Sequence, residues 1–254
     1  RRRRRPGDPP SPLPLRLTVV RSCRAPSGRA PVMRRHGVVS GVPRTYAYAS
    51  RVPTLVLPVL RSGVFSGHTQ PRLTAGDMEL EPWCDRDAEF LAEVYCDPAI
   101  QRWHVRSMDV KEAREWITAR ALRWKGEHGA DWVVRREGAP VGRVGLRTVD
   151  LEEGRAEVAY WTAPEARGNG VAIQALTALS NWALETVGFH RLDLHHSVQN
   201  AASCRVAVKC GYEVEGTAHS SVLHSDGWHD MHLHARINRG SGRLNPPRGH
   251  HRSE

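Results

Sequence analysis

The stretch from Arg155 to Ala172 constrains the fold of this chain more than any other part of its sequence. Residues 155–162 alternate as a half-buried strand does, glycines follow at 168 and 170, and an amphipathic helix pattern begins at about residue 170. A glycine loop between a strand and a helix turns backbone N–H groups toward a ligand, and the helix N-terminus adds about half a positive charge. This arrangement suits a pyrophosphate, with Arg167 as a further donor, although many such turns bind nothing.

Charge divides the chain into three parts. Residues 1–72 carry 15 basic and 1 acidic residue, residues 73–238 carry 18 and 25, and residues 239–254 carry 4 and 1. The formal net charge of +10 therefore belongs to the ends of the chain, and the middle is acidic. A basic binding surface on the domain is not indicated, so a nucleic-acid partner is not expected.

Composition sets the expected domain boundaries. We expect 1–71 to be a disordered basic extension rich in Pro, Gly and Arg, 72–238 to be one folded domain, and 239–254 to be a flexible tail. Met33 is the first methionine, so the extension is either a misassigned start of translation or a functional basic tail.

Several protein classes are excluded by the sequence pattern. The longest apolar run, 52–60, is broken by prolines and is shorter than the roughly 18–20 residues of a membrane helix. The apolar run 15–20 carries an arginine and is too short for the core of a signal peptide. The five cysteines are odd in number and contain no C-x-x-C pair, so neither a disulfide framework nor a thiolate zinc site is indicated. We therefore expect a cytoplasmic protein without a membrane partner.

The remaining pattern predicts one α/β domain with helices flanking a mixed sheet, in the order β-α-α-β-β-β-α-β-α-β-β. The predicted strands lie at 78–83, 130–136, 141–149, 155–162, 190–198, 212–217 and 228–237. The predicted helices lie at 86–96, from Asp109 to about Trp124, at 170–187 and at 201–210.

Two sequence blocks resemble a known family. Residues 167–172, Arg-Gly-Asn-Gly-Val-Ala, resemble the Arg/Gln-x-x-Gly-x-Gly/Ala signature of the GNAT N-acetyltransferase superfamily. Residues 200–216 are similar to the second block of its ribosomal-protein N-terminal (Rim-type) branch, which shows Asn-x-x-Ser, then Lys/Arg-x-Gly-Phe/Tyr and a Glu-Gly pair. Segments 97–103 and 226–230 fit the same branch, so the resemblance covers roughly 73–237 with several motifs in the right order.

The resemblance implies a fold and a co-substrate. The GNAT fold is α/β (α+β), with a central, mixed, mostly antiparallel twisted sheet of about six or seven strands flanked by about four helices. The sheet is splayed between its fourth and fifth strands, and acetyl-CoA binds in that cleft. An amine attacks the thioester directly, with no acyl-enzyme and no metal. The residues implied to hold acetyl-CoA are Tyr160, Trp161, Thr162, Arg167, Gly168, Asn169, Gly170, Val171, Ala172, Asn200 and Ser203.

Three residues are candidate catalytic groups. By resemblance Ser203 lies near the CoA sulfur, and it could equally cap a helix, since the two roles are compatible. Glu157 lies on the strand that lines the cleft, and is either a general base acting through water or a structural ion-pair partner. Tyr212 is either the acid that protonates the thiolate or a packing residue. Val222 stands where Rim-type relatives can carry a carboxylate, which leaves the base open.

A histidine-rich strand and a cysteine invite other interpretations. In His229-Asp-Met-His232-Leu-His234, the side chains of Asp230, His232 and His234 share one face and could hold zinc. A cofactor-free transferase needs no metal, and none is expected. Cys204 is a candidate nucleophile only if a His or Lys partner lies beside it.

The predicted function is transfer of acetyl from acetyl-CoA to a primary amine, in the first place a protein N-terminal α-amine. A small-molecule amine, such as an aminoglycoside or polyamine, is the alternative acceptor, and a non-catalytic acyl-CoA-binding sensor is the alternative function. We expect a monomer or a homodimer.

Overall fold

The computed structural model describes residues 56–240, which contain eight β-strands and five α-helices. The strands are β1 (Leu73–Ala75), β2 (Met78–Pro82), β3 (Gly129–Arg136), β4 (Ala139–Asp150), β5 (Arg155–Thr162), β6 (Arg191–Ser197), β7 (Glu213–His224) and β8 (Gly227–Ile237). The helices are α1 (Ala88–Val94), α2 (Pro98–His104), α3 (Val110–Lys125), α4 (Val171–Asn181) and α5 (Ala201–Lys209). A π-helical stretch, Trp182–Val187, extends α4. None of the helices in this part of the chain is long and apolar enough to cross a membrane.

The strands form one sheet in the order β1-β2-β3-β4-β5-β6-β8-β7. Neighbouring strands are antiparallel except β5 and β6, which run parallel. Those two strands pair only over residues 155–157 and 191–193, and they separate beyond that point. The predicted split between the strands 155–162 and 190–198 is therefore confirmed.

Alternation along the strands builds a hydrophobic layer on each face of the sheet. On β5, Val158 packs into the layer that contains Ala175, Leu176 and Leu179 of α4. The side chain of Trp161 points to the opposite face of the sheet from Val158, and it packs into the layer that contains buried residues of α1 and α3. Because successive side chains of a strand point to opposite faces, one strand supports both layers.

The predicted capping box at the start of α3 is present. The Asp109 carboxylate accepts the Glu112 N–H at 2.8 Å, and the Glu112 carboxylate accepts the Asp109 N–H at 2.8 Å. These reciprocal bonds satisfy N–H groups that the helix itself leaves unpaired.

The structure corrects three details of the predicted fold. Strand β1 and helix α2 are additional elements, so the counts of about six or seven strands and four helices are too low. β7 continues to His224 rather than ending at residue 217. Both additional elements are short, three and seven residues, and too short to show a clear period.

The folded part begins before the predicted boundary at residue 72. Leu60 and Phe65 are buried, and the Phe65 ring stacks on Trp124 with centroids 4.8 Å apart. The Glu127 carboxylate accepts the backbone N–H of Phe65 at 2.8 Å and that of Gly63 at 2.9 Å. The expected extension 1–71 is therefore wrong for this stretch, whereas 1–55 and all of the predicted tail after Gly240 lie outside the described residues.

Candidate active site

A pocket of about 480 Å³ opens where β5 and β6 separate. It is walled by α2, the end of β5, the loop before α4, the first turn of α4 and one side of α5 along its length. All the residues predicted to hold acetyl-CoA line it except Asn169. The predicted residues that line the pocket are Tyr160, Trp161, Thr162, Arg167, Gly168, Gly170, Val171, Ala172, Asn200 and Ser203.

The glycine loop shapes one end of the pocket. Gly168 and Gly170 have φ angles of +83° and +74°, values that favour glycine. A Cβ added at Gly168 would meet no atom within 4 Å, so the backbone there borders open space. Gly170 is the N-cap of α4, and no side chain among the described residues caps that helix. The N–H groups of the first turn are consequently available to an anion.

Arg167 joins this loop to α2. Its guanidinium Nη2 donates to Asp97 Oδ1 at 2.8 Å, and the same oxygen accepts the Ile100 N–H at 2.8 Å to cap α2. The hydrogen bond from Arg167 lowers the pKa of Asp97 below its usual range. A guanidinium has five N–H donors, so this ion pair leaves others to face the pocket.

Ser203 and Tyr160 both line the pocket and are hydrogen-bonded to each other, with 2.7 Å between their hydroxyl oxygens. The helix cap is made by another residue, because Asn200 Oδ1 accepts the Ser203 N–H at 3.0 Å. The Ser203 hydroxyl therefore does not cap α5. Burial raises the pKa of Tyr160, so this phenol stays protonated and can donate.

His104 and Trp103, at the end of α2, also line the pocket. Burial, helped by Arg143 and other nearby cations, lowers the pKa of His104 to about 3, so its imidazole is neutral near pH 7. The Trp103 ring meets His224 and His229 edge-on, with centroids 6.1 and 6.4 Å away. His104 was missed from the sequence. Its only signal was its place directly after the segment 97–103.

Glu157 is the last residue of β5 that pairs with β6, and it is not among the residues that line the pocket. Its carboxylate accepts a hydrogen bond from Arg147 and lies 3.4 Å from His195 Nδ1. Burial pushes the pKa of Glu157 up, but the bonds from His195 and Arg147 outweigh it and the pKa is lowered. A carboxylate held ionised in this way is a weak proton acceptor.

The structure does not bring Tyr212 or Val222 to the pocket. The Tyr212 side chain is buried in the core, where its hydroxyl lies 2.7 Å from Ser180 Oγ. Val222 pairs with His229 on β8 and is 40% exposed. Tyr160, rather than Tyr212, is the phenol beside Ser203.

The predicted histidine row on β8 is divided. Asp230 accepts hydrogen bonds from His219 and from the Ser220 N–H, at 2.9 and 2.8 Å. His232 and His234 instead lie together with His196 and Cys204 under α5. Burial lowers the pKa of both His196 and His234, so these two imidazoles are neutral near pH 7.

Comparison with known proteins identifies the family of this domain. The family described as "Acetyltransferase (GNAT) domain" matches residues 77–213. The uncharacterized N-acetyltransferase YoaA of Bacillus subtilis is 22% identical over 171 residues, 66% of this chain and 97% of that protein. The ribosomal-protein-serine acetyltransferase of Escherichia coli is 23% identical over 127 residues, 50% of this chain and 71% of that protein.

A solved structure shows the same fold. The ribosomal L7/L12 α-N-protein acetyltransferase RimL, in complex with coenzyme A, superposes with a TM-score of 0.62 at 18% identity, covering 66% of this chain and 98% of that one. The family match spans more than half of the 254 residues and includes the glycine loop and the start of α5. The chain belongs to the GNAT family of acetyltransferases.

Proposed function

We propose that this chain transfers the acetyl group of acetyl-CoA to the α-amine of a protein N-terminus, in a complex that holds both substrates. The observation that carries the proposal is one pocket lined both by the glycine loop before α4 and by the Ser203–Tyr160 hydroxyl pair.

The backbone of the pocket matches the two polar parts of acetyl-CoA. The N–H groups from Gly168 to Ala172 and the N-terminus of α4 suit the pyrophosphate. Beyond Glu157, the edge of β5 that faces β6 has no strand partner within residues 56–240. Backbone groups on such an edge need hydrogen-bond partners, and the amides of the pantetheine arm supply them.

The hydroxyl pair suits the leaving group. The amine nitrogen attacks the thioester carbonyl carbon, the C–S bond breaks, and the CoA thiolate leaves. Ser203 donates its proton to that sulfur and takes one from Tyr160, which water reprotonates, so the proton that the amine releases balances the one that the sulfur gains. The proton that the amine loses goes to water.

The pocket favours an acceptor that deprotonates easily. His104, with a pKa of about 3, is a weak base, and Glu157 is held in its ion pair. A protein α-amine has a pKa of about 7.7–8.0, whereas a lysine amine has one of about 10.4. Without a strong base, an α-amine reaches its reactive form far more readily. The Escherichia coli relative is named for acetylation of a ribosomal protein serine, which supports this acceptor.

The first test measures acetyl-CoA binding to the full chain by calorimetry. Gly168→Ala adds a methyl to the pocket wall and strains a residue whose φ is +83°. Gly138→Ala is the matched control, because Gly138 has a φ of +80° and equally open surroundings but lies in the β3–β4 turn. We expect at least about tenfold weaker binding for the first variant and unchanged binding for the second. Equal effects would overturn the proposed pyrophosphate site.

The second test measures release of free CoA thiol. Peptides with a free N-terminus should react, and the same peptides with a blocked N-terminus and one lysine should not. The rate should rise with pH as the acceptor amine deprotonates, with a midpoint near about 8. Reaction with aminoglycosides or polyamines alone would support the small-molecule alternative, and binding of acetyl-CoA without thiol release for any amine would indicate a sensor.

A further inference from the structure

Four metal-ligating side chains meet on the face of the sheet that α5 covers. His196 of β6, His232 and His234 of β8, and Cys204 of α5 each offer one ligand atom, and all four atoms lie within 4.8 Å of one another. His196 and His232 are direct cross-strand neighbours, and His234 lies two residues further along the same face. His196 and His234 are 5% and 0% exposed.

The hydrogen bonds of these rings define which nitrogens carry hydrogen. His196 Nδ1 lies 2.8 Å from the Ser197 carbonyl oxygen, and His234 Nδ1 lies 3.3 Å from the Tyr212 carbonyl oxygen. A carbonyl oxygen can only accept, so each Nδ1 donates its N–H to that oxygen. Each Nε2 is then left to accept, yet the two Nε2 atoms lie 3.1 Å apart. A metal cation or a proton between two such acceptors relieves this contact.

A third ring has an unused polar atom. His232 Nδ1 is buried and has no hydrogen-bond partner within residues 56–240. A buried polar atom without a partner costs about 1–3 kcal/mol, and such atoms are rare in folded proteins.

From these contacts we propose that His196, Cys204, His232 and His234 form a binding site for one divalent cation that prefers nitrogen and thiolate ligands, namely zinc. Three imidazoles and one thiolate complete a tetrahedral shell, as structural zinc sites require. Two nitrogens bound to zinc lie about 3.3 Å apart, close to the 3.1 Å between His196 and His234. The most distant ligand atoms need to approach by only about 1 Å.

The carbonyl bonds to His196 and His234 are those expected behind metal ligands. A ligating histidine usually donates its other ring N–H to a carbonyl or carboxylate, which fixes the orientation of the ring. Both rings do so here while presenting Nε2 to the cluster. The site departs from the expectation that this chain needs no metal, and it does not depend on the proposed acetyl transfer.

The cation would fasten the start of α5 to the sheet. Cys204 follows Ser203 directly, and the same helical turn contains Asn200 and lines the active-site pocket. A shell of four protein ligands leaves no position for substrate, so the role is structural. The binding energy of such a cation is then part of the folding free energy of the domain.

The test is the metal content of the full chain, purified without a histidine tag after growth with added zinc. We expect about one zinc ion per chain by inductively coupled plasma mass spectrometry. Cys204→Ala and His196→Ala should lose it, whereas Cys96→Ala and His219→Ala, which alter exposed residues outside the cluster, should retain it. Zinc-free protein loaded with Co²⁺ should show the visible bands of a tetrahedral site and a thiolate-to-cobalt band that Cys204→Ala abolishes.

Stability gives an independent readout. A chelator should lower the Tm of the wild-type chain by several degrees and leave that of Cys204→Ala unchanged. If the cluster variants do not fold, the Co²⁺ spectrum of the wild-type chain still decides. No bound metal and no thiolate-to-cobalt band, or equal metal in all variants, would overturn the site. Acetyl-CoA binding is measured separately, so failure of the metal site is distinguishable from failure of the proposed function.

Discussion

The two ends of the β5–β6 strand pair differ in strand pairing, in ion pairs and in contact with the pocket. At the closed end the strands pair over three residues on each side, and Arg155 donates to Asp193 at 3.0 Å. Arg147 and Glu157 form an ion pair beside it. At the open end, Tyr160, Trp161 and Thr162 face a pocket, and the neighbouring loop turns on glycines.

The difference shows how one strand divides its hydrogen bonds between stability and binding. Backbone groups that pair with β6 are satisfied within the protein, so they stabilise the fold and are closed to ligands. Groups beyond Glu157 lack that partner and are free to bind one. Changes at the open end should therefore alter activity and leave stability nearly intact, and changes at the closed end should do the reverse.

The largest expected effect is on turnover at the open end. Ser203→Ala removes the proposed proton donor, and we expect kcat to fall by about 10²-fold, the usual scale for general acid catalysis. The KM for acetyl-CoA should stay within about twofold, and the Tm should not change because Asn200 caps α5. Steady-state thiol release measures both constants.

The control for this variant is Ser221→Ala, which removes an exposed hydroxyl from β7. It should leave both constants unchanged. A loss of stability in Ser203→Ala that matched its loss of activity would mean that the hydroxyl is structural.

The next effect is on stability at the closed end. Asp193 is buried and accepts hydrogen bonds from Arg155 at 3.0 Å and Arg191 at 2.6 Å. Asp193→Ala leaves both guanidinium groups without this acceptor, so we expect the free energy of unfolding to fall by about 2 kcal/mol. Urea denaturation measures it, and calorimetry should show acetyl-CoA affinity within about twofold of wild type. Weakened binding without weakened folding would contradict the division between the two ends.

The sequence predicts which residues form the open end better than it predicts their chemical roles. The strand and the glycines after it form one continuous stretch, and Asn200 and Ser203 lie within one short segment further along, so local patterns identify both. The glycines, Asn200, Ser203 and the end of the strand line the pocket. Ser203 lies on α5 and its partner comes from β5, and the choice of Tyr160 over Tyr212 depends on packing, since the Tyr212 hydroxyl lies beside Ser180 instead.

The sequence predicts only two of the four residues of the histidine cluster, for the same reason. His232 and His234 share a face in the sequence pattern, but His196 and Cys204 join them through strand pairing and helix packing. Asp230, although on the same strand, bonds to His219 across a bulge in β7. Long-range contacts of this kind follow from strand register, which alternation alone does not define.

A smaller effect tests whether Glu157 belongs to the closed end. Its pKa is lowered in the folded protein, so its ion pair stabilises the fold above the unfolded pKa of about 4.3 and loses that contribution as pH falls through the folded pKa. Glu157→Gln should lower the free energy of unfolding by about 1 kcal/mol at pH 7, and the difference should shrink below about pH 4. Denaturation at several pH values measures this.

The activity of the same variant separates the two roles weighed for Glu157. As an ion-pair partner it should affect kcat by less than about threefold, and the pH dependence of kcat/KM should not change. A fall of about 10²-fold, with loss of the acidic limb of the pH profile, would instead identify Glu157 as the general base.

The smallest effect is expected for Arg167. This side chain is 42% exposed and already paired with Asp97, so solvent would partly screen the proposed contact with the pyrophosphate. Arg167→Ala should weaken acetyl-CoA binding by about threefold at low salt, less than Gly168→Ala does, because the backbone N–H groups of the loop remain. The deficit should diminish as salt is raised, since an exposed charge is screened while the buried amide bonds are not. Lys125→Ala, which removes one positive charge at the end of α3 outside the pocket, is the matched control and should bind as wild type does. An equal loss in both variants would assign the effect to net charge, and a loss that exceeds that of Gly168→Ala would place the main anion contact on the side chain rather than on the glycine loop.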